Sequence, residues 1–347
     1  MKLVDFDYNL PKELIAQYPA AKREHSRLLV LDRKNETIRH LEFSDISGFV
    51  SSGDLLVLNN TKVLPARLFG IREKTGAKIE FLLIKRQGNV FSAMVKPAKK
   101  FVDGETILFD NKNGGLRAKI TGKNKLEFTQ AHIEDVYKAG VMPLPPYIKR
   151  QTEFIDLERY QTVFAKHPGS IAAPTAGLHF TKDLVDDIRE RGVDVNYVTL
   201  HVGVGTFKPV KCDDVSSHSM EAEYFEAEEE LINKIKAARQ KEKKVFAVGT
   251  TACRTIETLF NAGYSSSEHV KVDNENKCVY GWTNLFIYPG YRFKAVDCLL
   301  TNFHLPKSTL FMLVCAFAGR KLAIKTYNQA IKSKYRFYSY GDAMLII

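Results

Sequence analysis

Arg67-Leu68-Phe69-Gly70-Ile71, Lys78-Ile79-Glu80-Phe81-Leu82-Leu83-Ile84, Val90-Phe91-Ser92-Ala93-Met94-Val95, Thr106-Ile107-Leu108-Phe109, Leu116-Arg117-Ala118-Lys119-Ile120 and Lys125-Leu126-Glu127-Phe128 are short runs of strand-forming residues. Turn formers separate them: Thr75-Gly76, Gln87-Gly88-Asn89, Asp103-Gly104, Asn113-Gly114-Gly115 and Thr121-Gly122-Lys123-Asn124. β-Branched and aromatic side chains suit a pleated, half-buried surface, and Gly and Asn accept the backbone angles of tight turns. Six strands at this spacing predict a small antiparallel β-barrel over residues 66–145. The block closes at Met142-Pro143-Leu144-Pro145-Pro146-Tyr147, where prolines stiffen the chain into a linker or turn.

Outward from this block the texture changes. Thr181 is placed to cap a helix through Arg191, with Asp183 in its first turn and Gly192 just past its end. Val193 to Val202 reads as a strand, Glu226 to Lys241 as a charged amphipathic helix and Lys244 to Val248 as a buried strand. Gly249-Thr250-Thr251 then turns that strand into a helix over Ala252 to Phe260, with Thr250 as a candidate N-cap. Alternating strands and helices predict an α/β main domain, residues 1–65 and 146–347, with the barrel domain, 66–145, inserted into it.

The chain has 347 residues, 45% apolar and 26% charged, an ordinary globular balance with material for two domains. Two acids interrupt Met1 to Tyr8, so no signal peptide is expected. The longest apolar run, Leu310 to Ala318, falls far below the roughly 20 residues of a membrane span, and reads as a buried strand or helix. The expectation is a soluble protein with no membrane partner. Cys212, Cys253, Cys278, Cys298 and Cys315 are odd in number and contain no C-x-x-C pair. That argues against a disulfide framework or zinc ribbon and for a reducing cytoplasm. The net charge of +11 is uneven: residues 51–150 carry 18 basic and 9 acidic side chains, and residues 301–347 carry 7 and 1. A concentrated positive face suits a polyanion, although solvated surface charge explains the balance equally well.

Five stretches are richer in Gly, Pro, His and Thr than ordinary strands or helices need. They are Leu58-Asn59-Asn60-Thr61-Lys62-Val63-Leu64-Pro65-Ala66-Arg67, the run His167 to Thr181, and Leu200-His201-Val202-Gly203-Val204-Gly205-Thr206-Phe207, followed by Phe286-Ile287-Tyr288-Pro289-Gly290-Tyr291-Arg292-Phe293 and Thr301-Asn302-Phe303-His304-Leu305-Pro306-Lys307-Ser308-Thr309. Any one of them reads as a turn; five together point to ligand-presenting loops. The Gly203-x-Gly205 pair does not make a dinucleotide fingerprint, because Phe207 stands near the expected third glycine and Pro209 blocks a helix start. No phosphate-cradling Gly-x-x-x-x-Gly-Lys-Ser/Thr is present, and Ser170 lacks a nucleophile elbow. The histidine spacing matches no zinc signature. Glu221 and Glu223 point the same way if their segment is extended, as a proton-sharing or cation-binding pair or as a solvated strand face.

The run His167 to Thr181, the stretch Leu200 to Phe207, His218-Ser219-Met220-Glu221 and Thr301 to Ser308 resemble the S-adenosylmethionine:tRNA ribosyltransferase-isomerase family of queuosine biosynthesis. Asn59-Asn60-Thr61-Lys62-Val63, Pro65-Ala66-Arg67 and Tyr340-Gly341-Asp342-Ala343-Met344 match it too, so the resemblance runs through essentially the whole chain. It implies transfer and isomerisation of the ribosyl part of S-adenosylmethionine onto 7-aminomethyl-7-deazaguanine in the tRNA wobble position. Epoxyqueuosine-tRNA, adenine and methionine would result. The donor would be consumed as a substrate, with no separate cofactor and no metal.

Such a reaction needs a base for the carbon beside the sulfonium, help for departing adenine and an uncharged attacking amine. The matched stretches offer His179, His201, Glu221, Asp297 and His304, with Glu221 or His304 as the expected base. A Glu221 that carries a proton would cost about 10²–10⁴-fold in kcat on substitution. Asn60, Lys62, Arg67, Thr175, Gly177, Gly203, Gly205, Thr250, Tyr288, Tyr291, Arg292, Asn302 and Lys307 are the expected substrate-binding residues. Lys96, Lys99, Lys100, Lys149 and Arg150 are expected to meet tRNA phosphates. Two alternatives are a non-catalytic RNA-binding protein and a methyltransferase with the same donor; the latter usually needs a Gly-rich strand-to-helix turn near its start.

Overall fold

The computed structural model describes residues 1–97, 101–109, 115–128, 132–203, 205, 210, 212–261 and 270–347. Two compact units divide the chain. One comprises Met1–Lys62, Pro146–Arg150 and Gln161–Ile347, the other Val63–Pro145 and Gln151–Tyr160.

In the second unit all six expected strands close into an antiparallel barrel, ordered Lys125–Glu127, Val90–Lys96, Lys78–Gln87, Arg67–Arg72, Thr106–Phe109 and Leu116–Ile120. The alternation seen in sequence is what closes it. Leu68, Ile79, Phe81, Leu83, Phe91, Ile107, Phe109, Ala118, Ile120 and Leu126 point inward and are buried. Residues between them face out, as the two-residue period of a strand requires.

The larger unit is built on a ten-stranded mixed sheet. Its order is Val270–Asp273, Cys278–Thr283, Glu223–Glu228, Asp194–Leu200, Leu55–Asn59, Val245–Val248, Cys298–Asn302, Ala343–Ile346, Arg27–Asp32 and Thr37–Glu42. The four strands from Asp194–Leu200 to Cys298–Asn302 run parallel. Ala343–Ile346 then pairs antiparallel to Cys298–Asn302 and parallel to Arg27–Asp32.

Strand residues alternate between two cores. Leu55, Val57, Val245, Ala247 and Leu299 join one; Leu56, Leu58, Phe246, Val248 and Leu300 join the other. The first core is covered by the helices Glu229–Gln240, Gly249–Asn261, Thr309–Ala318 and Arg320–Lys332, through residues such as Ile235, Ile256, Phe311 and Tyr327. The helix Lys182–Glu190 covers the second with Val185 and Ile188. Coverage on both faces explains why the central strands read as unbroken apolar runs.

Two local readings change, and one left open between strand and helix is decided. Glu223–Glu228 is a strand, and the helix begins only at Glu229. Glu223, Phe225 and Ala227 alternate inward, and the segment pairs with strands on both sides, which outweighs the helical propensity of its glutamates. Gly249, at φ +91°, has a non-helical backbone and stands at the cap position itself, so Thr250 is the first residue with room to be helical rather than the cap. The apolar run after Ser308 is a helix, with the Ser308 hydroxyl accepting from Phe311 N at 3.1 Å. Thr181 caps the helix after it as expected, accepting from Leu184 N at 3.2 Å.

Candidate active site

Parallel strands all end on the same edge of a sheet, and in open α/β sheets ligands bind beyond those carboxyl ends. Here Val245–Val248 runs straight into Gly249-Thr250-Thr251, and Cys298–Asn302 runs into Phe303-His304. Between these ends lies a cavity of about 360 Å³. Its walls come from residues 172–176, 249–251, 301–302, 304–308 and 338–339, with Tyr147. The size lies within the range of small-molecule sites.

Each wall is held from behind. His304 is 7% exposed, and its Nε2 shares a hydrogen bond with Thr301 Oγ1 at 2.7 Å. Its backbone is gripped twice. The Tyr8 hydroxyl donates to the His304 carbonyl, and His304 N donates to the Tyr327 hydroxyl at 3.3 Å. Both tyrosines sit in an aromatic cluster with Phe311, at centroid separations of 5.1 and 4.6 Å. Tyr338 stacks on Tyr147 at 4.5 Å, and the Tyr147 hydroxyl bonds Ser339 Oγ at 2.6 Å. Tyr338 adopts φ +71°, unusual for a non-glycine residue. Asp342 holds that turn by accepting from Arg336 N at 2.8 Å and from Arg336 Nη2 at 2.9 Å. Gly341 is required there, because a Cβ would stand 2.5 Å from the Arg336 carbonyl oxygen.

The helices Gly249–Asn261 and Thr309–Ala318 both begin at this cavity, so two positive helix ends converge on it. Two polar atoms of its wall residues make no hydrogen bond among the described residues although they are buried: Tyr338 Oη and Thr251 Oγ1. Buried polar groups are nearly always paired, so unpaired ones on a cavity wall are places for a ligand's donors and acceptors.

Of the residues expected from sequence, His304, Thr175, Thr250, Asn302 and Lys307 line the cavity. Lys307 also pairs with Asp7 at 2.7 Å. A second group gathers farther along the same sheet edge, after Asn59 and Leu200. His201 Nδ1 bonds Thr61 Oγ1 at 2.8 Å and its ring stacks on Tyr224 at 5.6 Å. Asn60 accepts from Thr199 Oγ1 at 2.7 Å, Lys62 is exposed, and Gly203 N donates to Glu223 Oε1 at 2.9 Å. Glu221 is exposed beside Gly205, so close that a methyl group there would meet its Oε2 at 2.8 Å.

The others lie elsewhere. His179 is off the cavity wall but bonds the side chain of Asn302 on it, with its ring against Phe43 at 4.9 Å and Nδ1 on Ser26 Oγ at 2.6 Å, and Gly177 packs on Thr162 and Phe164. Tyr291 donates to Glu257 at 2.9 Å, Tyr288 packs on Phe286 at 5.0 Å, and Arg292 is exposed. Asp297 precedes the strand that His304 follows, so it stands at the opposite sheet edge, accepting from Val245 N at 2.9 Å. Arg67 belongs to the barrel unit and pairs with Glu80 at 3.1 Å. Lys96 ends a barrel strand; Lys149 N and Arg150 Nε both donate to Gln17. Lys99 and Lys100 lie outside the described residues.

The sequence reading missed Tyr147, Thr251, Tyr338 and Ser339 on the cavity wall, and the buried pair Glu223–Arg254 behind the Gly203 loop. Only the nearby Tyr340-Gly341-Asp342 run hinted at the Tyr338 turn.

Burial sets the histidine charges. It pushes His304 down to about 3 and His179 down to about 4, so both rings are neutral at pH 7. The unfolded chain takes up protons at these positions below about pH 6.5, whereas the folded chain does not until its lower values are reached. Stability is therefore lost as pH falls from about 6.5, by on the order of 2–3 kcal/mol for each ring at pH 4.5. Thermal melts at pH 7 and 4.5 check this. His179→Gln is expected to lose less stability over that interval than the wild type, and an equal loss in both would show that His179 does not set the acid limb.

A profile of queuosine biosynthesis proteins matches residues 3–346. The chain is 48% identical to an S-adenosylmethionine:tRNA ribosyltransferase-isomerase of Acetivibrio thermocellus and 49% identical to one of a Sulfurihydrogenibium species, with both chains covered completely. It is also similar to the crystal structure of an S-adenosylmethionine tRNA ribosyltransferase from Thermotoga maritima. There the TM-score is 0.56 at 36% identity, over 99% of this chain and 100% of that one.

Proposed function

The chain belongs to the queuosine biosynthesis protein family and has the ribosyltransferase-isomerase activity for which its full-length relatives are named; we propose that its cavity at the carboxyl ends of the parallel strands binds S-adenosylmethionine. The acceptor is tRNA carrying 7-aminomethyl-7-deazaguanine, and the products are epoxyqueuosine-tRNA, adenine and methionine. The donor is consumed as a substrate, which leaves no separate cofactor in the scheme. A tRNA substrate supports a cytoplasmic location. Among the described residues no helix is long and apolar enough to cross a membrane.

The observation that carries this reading is the set of buried, unpaired polar atoms on an otherwise largely aliphatic and aromatic wall. The Tyr338 and Thr251 hydroxyls suit the amino group, ring nitrogens or ribose hydroxyls of the donor. The converging helix ends at Thr250 and Ser308 suit its carboxylate. A histidine held to about 3 is too weak a base to take a proton from carbon at neutral pH. His304 instead serves as a neutral hydrogen-bonding group toward the departing adenine, oriented by Thr301.

Glu221 lies off the cavity wall, exposed beside Gly205, and adds negative charge to the sheet edge along which the cationic donor approaches. An exposed charge contributes up to about 1 kcal/mol, so Glu221→Gln is expected to raise the KM for S-adenosylmethionine about fivefold and largely keep kcat. A fall of 10²–10⁴-fold in kcat would make Glu221 the proton carrier instead. The activity is tested by incubating protein, S-adenosylmethionine and tRNA bearing the aminomethyl base. Free adenine supports ribosyl transfer, S-adenosylhomocysteine would mean methylation, and neither product would mean RNA binding alone.

A further inference from the structure

Outside the cavity, the barrel carries a face whose apolar residues have no role above, although Lys96 on it is expected to meet tRNA phosphates. On its strands Arg67–Arg72, Lys78–Gln87 and Val90–Lys96, the outward positions bring Phe69, Glu80 and Lys96 into one cross-strand row. Ile71 stands opposite Lys78, and Leu82 opposite Met94. Phe69 is 59% exposed, Met94 50% and Ile71 41%. Single exposed apolar residues are ordinary, but here an aromatic ring and two aliphatic side chains share one strand-built surface. Phe69, Ile71, Lys78, Glu80, Lys96 and Pro97 line a shallow groove across it. Glu80 is neutralised by Arg67 at 3.1 Å, so Lys78 and Lys96 set the sign of the groove's field.

We propose that this face is a stacking platform for an unpaired nucleobase of the tRNA substrate, with Phe69 against the base and Lys78 and Lys96 against neighbouring phosphates. Single-stranded nucleic acid is bound by this combination, an aromatic ring offered to a base's π-face beside a positive groove that follows the backbone. A protein partner's apolar patch would not call for two flanking lysines, and a fully paired RNA helix would not present a base face to Phe69. The proposal rests on tRNA being the acceptor, and it adds where an unpaired stretch of that tRNA is gripped.

The test uses the full-length protein with tRNA carrying the acceptor base. Equilibrium binding is measured across a salt series, and adenine release gives separate KM values for tRNA and S-adenosylmethionine. Phe69→Ala is expected to weaken tRNA binding at least fivefold, with an unchanged salt slope and unchanged KM for S-adenosylmethionine, because base stacking is not a counter-ion effect. Phe69→Trp is expected to retain wild-type affinity, which separates stacking from damage to the barrel. Lys78→Ala with Lys96→Ala is expected to flatten the slope of log K against log salt by about 0.7 per lysine. Unchanged tRNA affinity in Phe69→Ala, while the wild type still releases adenine, would overturn this proposal and leave the enzymatic reading standing. Failure of the wild type to release adenine would overturn that reading instead. A wild-type dimer that Phe69→Ala dissociates would give the face to a second copy of the chain and overturn the proposal.

Discussion

His304→Gln is expected to slow adenine release under saturating substrates by about 10²–10³-fold, the loss typical of removing one preorganised hydrogen-bonding group from a reacting centre. The magnitude follows from how fully the ring is constrained. Thr301 Oγ1 fixes one nitrogen at 2.7 Å, and Tyr8 and Tyr327 fix the backbone that carries it. A glutamine amide keeps hydrogen-bonding capacity but not the ring's reach or direction, so the loss should fall on kcat more than on the KM for S-adenosylmethionine. The pH profile distinguishes the role. Burial holds the ring neutral well below pH 6, so a hydrogen-bonding His304 leaves the shape of log kcat between pH 6 and 9 the same in wild type and variant. Disappearance of an inflection in that interval would make His304 a titrating proton carrier. A variant within threefold of the wild-type rate would remove it from the site, and thermal melts guard against unfolding as the cause.

Arg254→Met is expected to destabilise the protein by about 3–5 kcal/mol, the cost typical of breaking a buried ion pair by removing one member. Arg254 and Glu223 are each 4% exposed and bonded to one another. Arg254 Nε also donates to the Leu285 carbonyl at 3.0 Å, while Glu223 Oε1 accepts from Gly203 N at 2.9 Å. The pair thus joins the Glu223–Glu228 strand, the Gly249–Asn261 helix and the loop after Leu200. Domains are stable by only about 5–15 kcal/mol, so the loss should be plain in urea unfolding. Adding Glu223→Leu removes the other member of the pair and is expected to recover at least half of the loss. If the double variant is no more stable than Arg254→Met, the single variant's cost arose from packing rather than from the broken ion pair.

The barrel, the doubly covered sheet and most of the loops around the cavity were legible in the residues. Each is written in a local pattern. Period-two alternation between Gly-rich turns marks Arg67 to Phe128, and unbroken apolar runs such as Val245-Phe246-Ala247-Val248 mark strands covered on both faces. The motif-bearing loops were legible because strands and helices do not need Gly, Pro, His and Thr at that density. The strand Glu223–Glu228 was read partly as helix because its glutamates speak locally for a helix, while its pairing on two sides comes from segments distant in the chain.

Which of the motif residues share a site was decided only by the tertiary structure. Asp297 and His304 are seven positions apart, yet the five-residue strand Cys298–Asn302 carries the chain about 16 Å across the sheet between them and leaves them on opposite edges. Conversely Thr175, Thr250, Asn302, Lys307 and Tyr338 come from distant segments and line one cavity. They meet because parallel strands end on a common edge and because Val245–Val248 sits between Leu55–Asn59 and Cys298–Asn302. Local patterning sets where each strand begins and which face it buries. The order in which strands pair depends on long-range packing of both faces at once, which no single stretch of residues encodes, and that order assembled the site.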